Sequence, residues 1–135
     1  MGPHTMEIYP TMRCNLDCKY CDTAQRNLKP GEADELSVED VQGIVQNAIR
    51  LDLKKLSILG GGEPLEAAQA TLSAIRIAKD AGIQVTLGTN ATLLDGSMAE
   101  EIVNLGLDEL HVSLDGPDGE THDQLTIPSR GLHLQ

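Results

Sequence analysis

The sequence predicts an α/β fold with a parallel sheet, and three observations carry that prediction. Four segments read as strands, three segments between them carry helical apolar stripes, and the last three strands begin about 27 residues apart. That spacing is a strand plus a helix returning to the same end of the sheet, which marks right-handed βαβ units. In parallel α/β folds ligands sit on the loops that follow the carboxyl ends of the strands. Every glycine-rich or distinctive polar motif of this chain falls on one of those four loops.

Met1 to Thr5 read as a leader or cloning remnant, with His4 solvated within it. The first strand is expected at about Met6 to Met12, where Met6, Ile8 and Met12 keep a period of two. A cysteine loop follows. Ser37 and Asp40 form a reciprocal cap, with Leu36 placed to pack on Val41. Val41, Ile44, Val45, Ala48 and Ile49 then make one stripe, in a helix running to about Leu51. The second strand, Lys55 to Leu59, leads into Gly60-Gly61-Gly62-Glu63-Pro64. A second helix is expected from there to Ala81, with Leu65, Ala68, Leu72, Ile75 and Ala78 on its stripe and Gly82 ending it. The third strand holds Ile83, Val85 and Leu87, followed by Gly88-Thr89-Asn90. The third helix spans about Met98 to Leu105 and stops at Gly106. Leu110, Val112 and Leu114 make the fourth strand, which runs into Asp115-Gly116-Pro117.

A chain of 135 residues is about one domain's worth and short for an α/β barrel. Its net charge of -11 repels phosphate backbones and anionic membrane surfaces, and its two aromatics, Tyr9 and Tyr20, offer no platform for base stacking. Nucleic acid and membranes are therefore not expected as partners. With no export signal read at the N-terminus and no apolar run of spanning length, a cytoplasmic location is expected. The three cysteines are odd in number and lie within eight residues, which is no disulfide framework. They point to metal or redox chemistry.

Cys14, Cys18 and Cys21 stand at spacings of four and three, so one loop can wrap all three thiols around a small inorganic core. A cubane iron-sulfur cluster normally takes four thiolates. Three protein ligands leave one iron open to a small molecule, as catalytic zinc sites keep an open position. Three cysteines with a distant histidine, His111 or His122, could also hold a structural zinc, although zinc sites more often come as two close pairs. Gly61-Gly62-Glu63-Pro64 reads either as an ordinary strand-to-helix turn or as backbone brought close to a ligand. Asn90 reads as a turn residue or a ligand contact. His122 and Asp123 read as an acid-base pair or as residues ordering their loop, His111 as packing and His133 as tail.

These motifs together resemble the radical S-adenosylmethionine (radical SAM) enzymes. Their signature is Cys, three residues, Cys, two residues, Cys, with an aromatic before the last cysteine; Tyr20 takes that place, and Asn15 and Leu16 fit the commonest local variant. Val112-Ser113-Leu114-Asp115-Gly116-Pro117 is similar to a segment of the peptide-modifying branch that includes the sulfatase maturases. The resemblance implies a partial parallel (β/α) barrel, with about four βα units here of the usual six. It implies a [4Fe-4S] cluster on Cys14, Cys18 and Cys21, and S-adenosylmethionine as second cofactor. Tyr20, Gly61, Gly62, Glu63, Pro64, Asn90, Ser113 and Asp115 inherit cofactor-binding places. Within these, the glycine-rich segment holds the methionyl amino group, Ser113 touches the cofactor and Asp115 reaches the ribose or the substrate.

The implied reaction is reductive cleavage to a 5'-deoxyadenosyl radical that abstracts hydrogen from a peptide or small molecule. An external flavodoxin- or ferredoxin-like donor supplies the electron, and no side chain need be a conventional acid or base. Two departures stand out. Ala91 replaces the usual glycine of a Thr-Asn-Gly loop, and Thr126 stands where an arginine is expected, with Arg130 falling late. The resemblance runs from about Ile8 to Asp123 with no fifth strand read after Pro128, so residues 1–135 are expected to form the N-terminal part of such a core. The alternative is a non-catalytic zinc or iron-sulfur scaffold, or an inactive fragment.

Overall fold

The structure is a computed structural model that describes residues 4–23, 25, 26 and 28–126; the readings of Met1 to Pro3, Pro128, Arg130 and His133 lie outside the described residues. In chain order the elements are β1 (Thr5–Ile8), β2 (Arg13–Cys14), β3 (Gln25–Arg26), α1 (Val38–Arg50), β4 (Lys55–Ile58), α2 (Ala68–Asp80), β5 (Gln84–Thr89), α3 (Gly96–Asn104), β6 (Glu109–Val112) and α4 (Gly119–Leu125). β1, β4, β5 and β6 form one parallel sheet in that order, and β2 pairs with β3 in a separate parallel ladder inside the cysteine loop.

Register places like side chains on like faces. Ile8 lies beside Ile58 and Ile58 beside Leu87, while Leu56 lies beside Val85. With Val41, Val45 and Ala48 of α1 and Ala74, Ile75 and Ala78 of α2, these residues form the buried core. The opposite face of the sheet is polar, as the period of two requires of the intervening residues. There Glu109 accepts hydrogen bonds from Thr86 Oγ1 (2.9 Å) and Gln84 Nε2 (3.2 Å) and faces Lys55 Nζ at 3.5 Å. Parallel sheets normally bury both faces under helices. A polar second face instead suits the inside of a barrel wall.

Helix ends follow local chemistry. The reciprocal cap forms, with Asp40 N donating to Ser37 Oγ at 3.0 Å and Ser37 N donating to Asp40 Oδ2 at 3.1 Å. Gly82 takes φ +73° after α2, the left-handed stop expected of it. Ile44, expected on the α1 stripe, is 38% exposed. α2 is entered through a tight 3-10 turn, Pro64–Ala67, in place of α-helix from Pro64 onward. α3 starts two residues before the expected Met98, because Asp95 caps it by accepting the Met98 N–H at 2.8 Å.

Three strands end earlier than the sequence suggested, β4 by one residue at Ile58. β1 ends at Ile8 because Pro10 has no N–H for the ladder. Residues 10–12 then turn away and bond to a different segment, Leu36 N donating to the Pro10 carbonyl and Met12 N to the Asp34 carbonyl, both at 2.8 Å. β6 ends at Val112; Ser113 N makes a last bond to the Thr89 carbonyl at 3.0 Å and Leu114 turns outward, 75% exposed. α4 was not anticipated, since it carries no apolar stripe and buries none of its side chains; Asp118 starts it by capping Thr121.

Leu56 is fully buried at the centre of the sheet. Leu56→Ala should lower the free energy of unfolding by about 2–5 kcal/mol in chemical denaturation. Ser37→Ala should cost about 1 kcal/mol, the worth of one N-cap.

Candidate functional site

A cavity of about 400 Å³ opens at the carboxyl ends of the four sheet strands. It falls within the usual range for small-molecule sites. The cysteine loop after β1, the glycine loop after β4, the Thr89-Asn90 turn after β5 and the loop after β6 all border it. Each residue given a metal or cofactor place by the resemblance is on its wall: the three cysteines, Tyr20, Gly61, Gly62, Glu63, Pro64, Asn90, Ser113 and Asp115; His122 also borders it, whereas Asp123 does not.

The glycine loop docks on the cysteine loop. Gly62 N donates to the Thr11 carbonyl at 2.9 Å and Glu63 N to the Arg13 carbonyl at 2.8 Å. A Cβ at Gly62 would lie 1.9 Å from the Arg13 carbonyl oxygen. The absence of a side chain therefore serves, first of all, the close approach of the protein's own backbone just before Cys14. Arg13 completes the junction: buried at 8% exposure, its guanidinium pairs with Glu35 (3.2 Å) and with the Glu66 carboxylate, and donates to the Glu66 carbonyl at 2.5 Å.

Glu63 joins the β4 loop to the β5 loop. Its carboxylate, 2% exposed, accepts from Leu65 N (3.1 Å), Thr89 Oγ1 (2.6 Å) and Asn90 N (2.8 Å). Burial pushes its carboxyl above the ordinary range, and these three donors pull the other way. The Glu63 side chain is thus committed to the protein, and what this residue presents to the cavity is backbone. Asn90 links onward, its Nδ2 donating to Asn15 Oδ1 at 2.9 Å and its Oδ1 accepting from Thr92 N at 3.0 Å. Ala91 takes φ +62°, the left-handed conformation that glycine adopts without cost. Alanine here holds that conformation at the expense of some backbone strain.

Across the cavity, the Tyr20 hydroxyl donates to Asp115 Oδ2 at 2.6 Å, joining the cysteine loop to the β6 loop across 95 residues of sequence. This bond to a carboxylate is the main reason the phenol is held well above its ordinary pKa. His122 Nδ1 accepts the Asp115 N–H at 3.1 Å, which orders the same loop. Lys19 N donates to the Leu125 carbonyl at 3.0 Å, so α4 also abuts the cysteine loop. Thr126 lines the cavity with its hydroxyl donating to the His122 carbonyl at 2.9 Å. His111 was expected to pack. Its side chain is instead 65% exposed and borders the cavity, because β6 is the last strand of the sheet among the described residues.

None of the three thiols is in a disulfide, and all three are partly buried at the cavity. Burial raises the Cys14 pKa, and Glu63, Cys18 and Cys21 raise it further by repulsion between like charges. A Cys14 thiolate disfavoured by these neighbours is a donor that a cationic core relieves. Among the described residues no three His, Cys, Asp or Glu side chains converge as ligands of one ion do. Cluster thiolates each bind a different iron, and three cysteines bordering one cavity are thiolate donors of the kind such a cluster takes.

Arg13 was not identified from the sequence, and Asn15 was noted only within the cysteine motif. Their partners are distant in the chain, so no local spacing could reveal them. Gly62→Ala should destabilise the fold by about 1–3 kcal/mol or more, since backbone must move. Gly43→Ala, in α1 with no atom within 4 Å of an added Cβ, should instead stabilise by up to about 1 kcal/mol. Paired denaturation curves check both.

The profile described as Radical SAM superfamily matches residues 8–130. The AdoMet-dependent heme synthase of Methanosarcina barkeri is 36% identical over 113 residues, covering 84% of this chain and 31% of that protein. The GTP 3',8-cyclase of Geobacter sulfurreducens is 37% identical over 122 residues, covering 90% and 37%. Among solved structures, Streptococcus suis SuiB bound to its precursor peptide SuiA superposes with TM-score 0.78 at 26% identity, covering 95% of this chain and 28% of SuiB. SuiB bound to S-adenosylmethionine gives TM-score 0.77 at 25% identity, covering 95% and 29%. The chain spans about a third of the length of the curated relatives it matches. The partial parallel barrel is therefore the fold of this chain, and the superfamily's cofactors are a [4Fe-4S] cluster and S-adenosylmethionine. By matched profile and by relatives above 30% identity, this chain belongs to the radical SAM superfamily.

Proposed function

We propose that this chain is the cofactor-binding part of a radical enzyme acting on a peptide or a small molecule. One observation carries the reading: three partly buried thiols and the glycine-rich turn border a single cavity at the strand ends. Loaded with a [4Fe-4S] cluster and S-adenosylmethionine, such a site supplies reductive cleavage of the sulfonium to methionine and a 5'-deoxyadenosyl radical, which abstracts hydrogen from the substrate.

Cys14, Cys18 and Cys21 would hold three irons, leaving the fourth for the methionyl amino and carboxylate groups. The backbone of Gly61, Gly62 and Glu63 offers carbonyl oxygens to that amino group, with the Glu63 side chain fixing the turn from behind. Pro64 sets the exit into the 3-10 turn. Ser113, exposed on the facing loop, and Asp115, held by Tyr20, are placed for the nucleoside or the substrate. The leucine side chains of the wall, Leu16 and Leu59, help to keep water from the reacting carbon. The electron comes from an external flavodoxin- or ferredoxin-like donor.

The peptide in the SuiB complex supports a peptide substrate, while the heme synthase and the GTP cyclase among the relatives support a small one. Anaerobic reconstitution with iron and sulfide should give a brown protein that forms 5'-deoxyadenosine with a strong reductant. Cys14→Ala, Cys18→Ala and Cys21→Ala should each lose the cluster iron. Bound iron without deoxyadenosine would refute catalysis by this chain. A colourless protein holding stoichiometric zinc would favour the rival reading, a non-catalytic scaffold.

A further inference from the structure

The side-chain amide of Asn90 lies under the cysteine loop with both ends assigned. Its Oδ1 accepts from Thr92 N at 3.0 Å and from Thr92 Oγ1 at 2.7 Å. A backbone N–H can only donate, so the oxygen must face Thr92 and the NH2 group must face the other way. That group lies 2.9 Å from Asn15 Oδ1 and 4.0 Å from Cys14 Sγ. One N–H is bound to Asn15, which leaves the second for the sulfur 4.0 Å away. The backbone behind it is pinned, because Asn90 N donates to the buried Glu63 carboxylate at 2.8 Å and Thr89 Oγ1 holds the other carboxylate oxygen at 2.6 Å.

We propose that Asn90 donates an N–H···S hydrogen bond to the Cys14 thiolate and thereby raises the reduction potential of the cluster bound there, with Glu63 as the residue that positions Asn90. The inference rests on the function proposed above and adds a role that the motif resemblance does not assign. A neutral thiol is a weak acceptor, and ionisation strengthens it, so the 4.0 Å contact should shorten on the metal-bound thiolate. Donors to cluster sulfurs raise the potential, since reduction adds negative charge that an N–H dipole stabilises. Leu16 N, 3.4 Å from the same sulfur, is a second donor that the amide supplements. Asn90 in this role acts on the cluster through Cys14, and its side chain is no longer free to serve the nucleoside.

The test is a potentiometric titration followed by electron paramagnetic resonance, on wild type, Asn90→Ala, Asn90→Asp and Thr92→Val proteins matched for iron and sulfide. Asn90→Ala should lower the ratio of reduced to oxidised cluster at a fixed potential on the order of tenfold, which is ~59 mV for one electron. Asn90→Asp, which keeps the acceptor for Thr92 N and loses both N–H groups, should shift it further in the same direction. Thr92→Val removes two side-chain bonds of this loop but leaves the backbone bond that orients the amide, and should leave the potential at the wild-type value. An unchanged potential in both Asn90 variants overturns the inference while the proposed function stands. A Thr92→Val shift as large as that of Asn90→Ala also overturns it, because a loosened loop would then be the cause. Failure of the wild-type protein to assemble any cluster overturns both.

Discussion

The site depends on one buried carboxylate. Glu63 leaves β4 at the point where the chain must turn, and burial there would expel an unpaired charge at a cost of several kcal/mol. Three donors from two different segments converge on it instead, two from the β5 turn and one from its own helical turn. The glycine loop and the Thr89-Asn90 turn are thereby one unit, so neither can shift without leaving a buried acceptor unsatisfied. Asn90 carries that rigidity on to Asn15, one residue after the first cysteine.

A second constraint works from the other side. Arg13 is buried between Glu35 and Glu66, and the two ion pairs tie the base of the cysteine loop to the approach to α1 and to the 3-10 turn before α2. Close backbone contact at Gly62 completes the joint. The cysteine loop has few apolar anchors of its own, Leu16 being the main one. Polar contacts therefore do the work that hydrophobic packing does in the sheet. This division is physically sensible, since a loop that must present thiols to a cavity cannot bury itself in the core.

The polar inner face of the sheet and the strand-end cavity are two consequences of one topology. Parallel strands all deliver their following loops to the same end, and their side chains alternate between the helix layer and the interior. The apolar set went to α1 and α2, leaving Thr86, Gln84 and Glu109 inside and the motif loops above them. The exposed Leu110 and Val112 of β6 stand where no helix among the described residues covers the sheet.

Much of this was legible in the sequence. Apolar spacing fixes where α1, α2 and the four sheet strands form, because periodicity is a local consequence of backbone geometry. The cysteine spacing, the glycine run and the segment after β6 mark the residues proposed for the site, and Cys14, Cys18, Cys21, Gly61, Gly62, Glu63, Ser113 and Asp115 border one cavity. Strand ends were less legible: Pro10 stops β1 early, a signal present but outweighed by Met12 in phase, and α4 carries no apolar stripe to announce it. What the sequence could not contain was partnership at long range. That Arg13 meets Glu66, that Glu63 holds Asn90, that Tyr20 reaches Asp115 and that His111 faces the cavity follow only from the tertiary structure. Local pattern encodes which way a side chain points along its own element, whereas its partner is decided by how the elements stack.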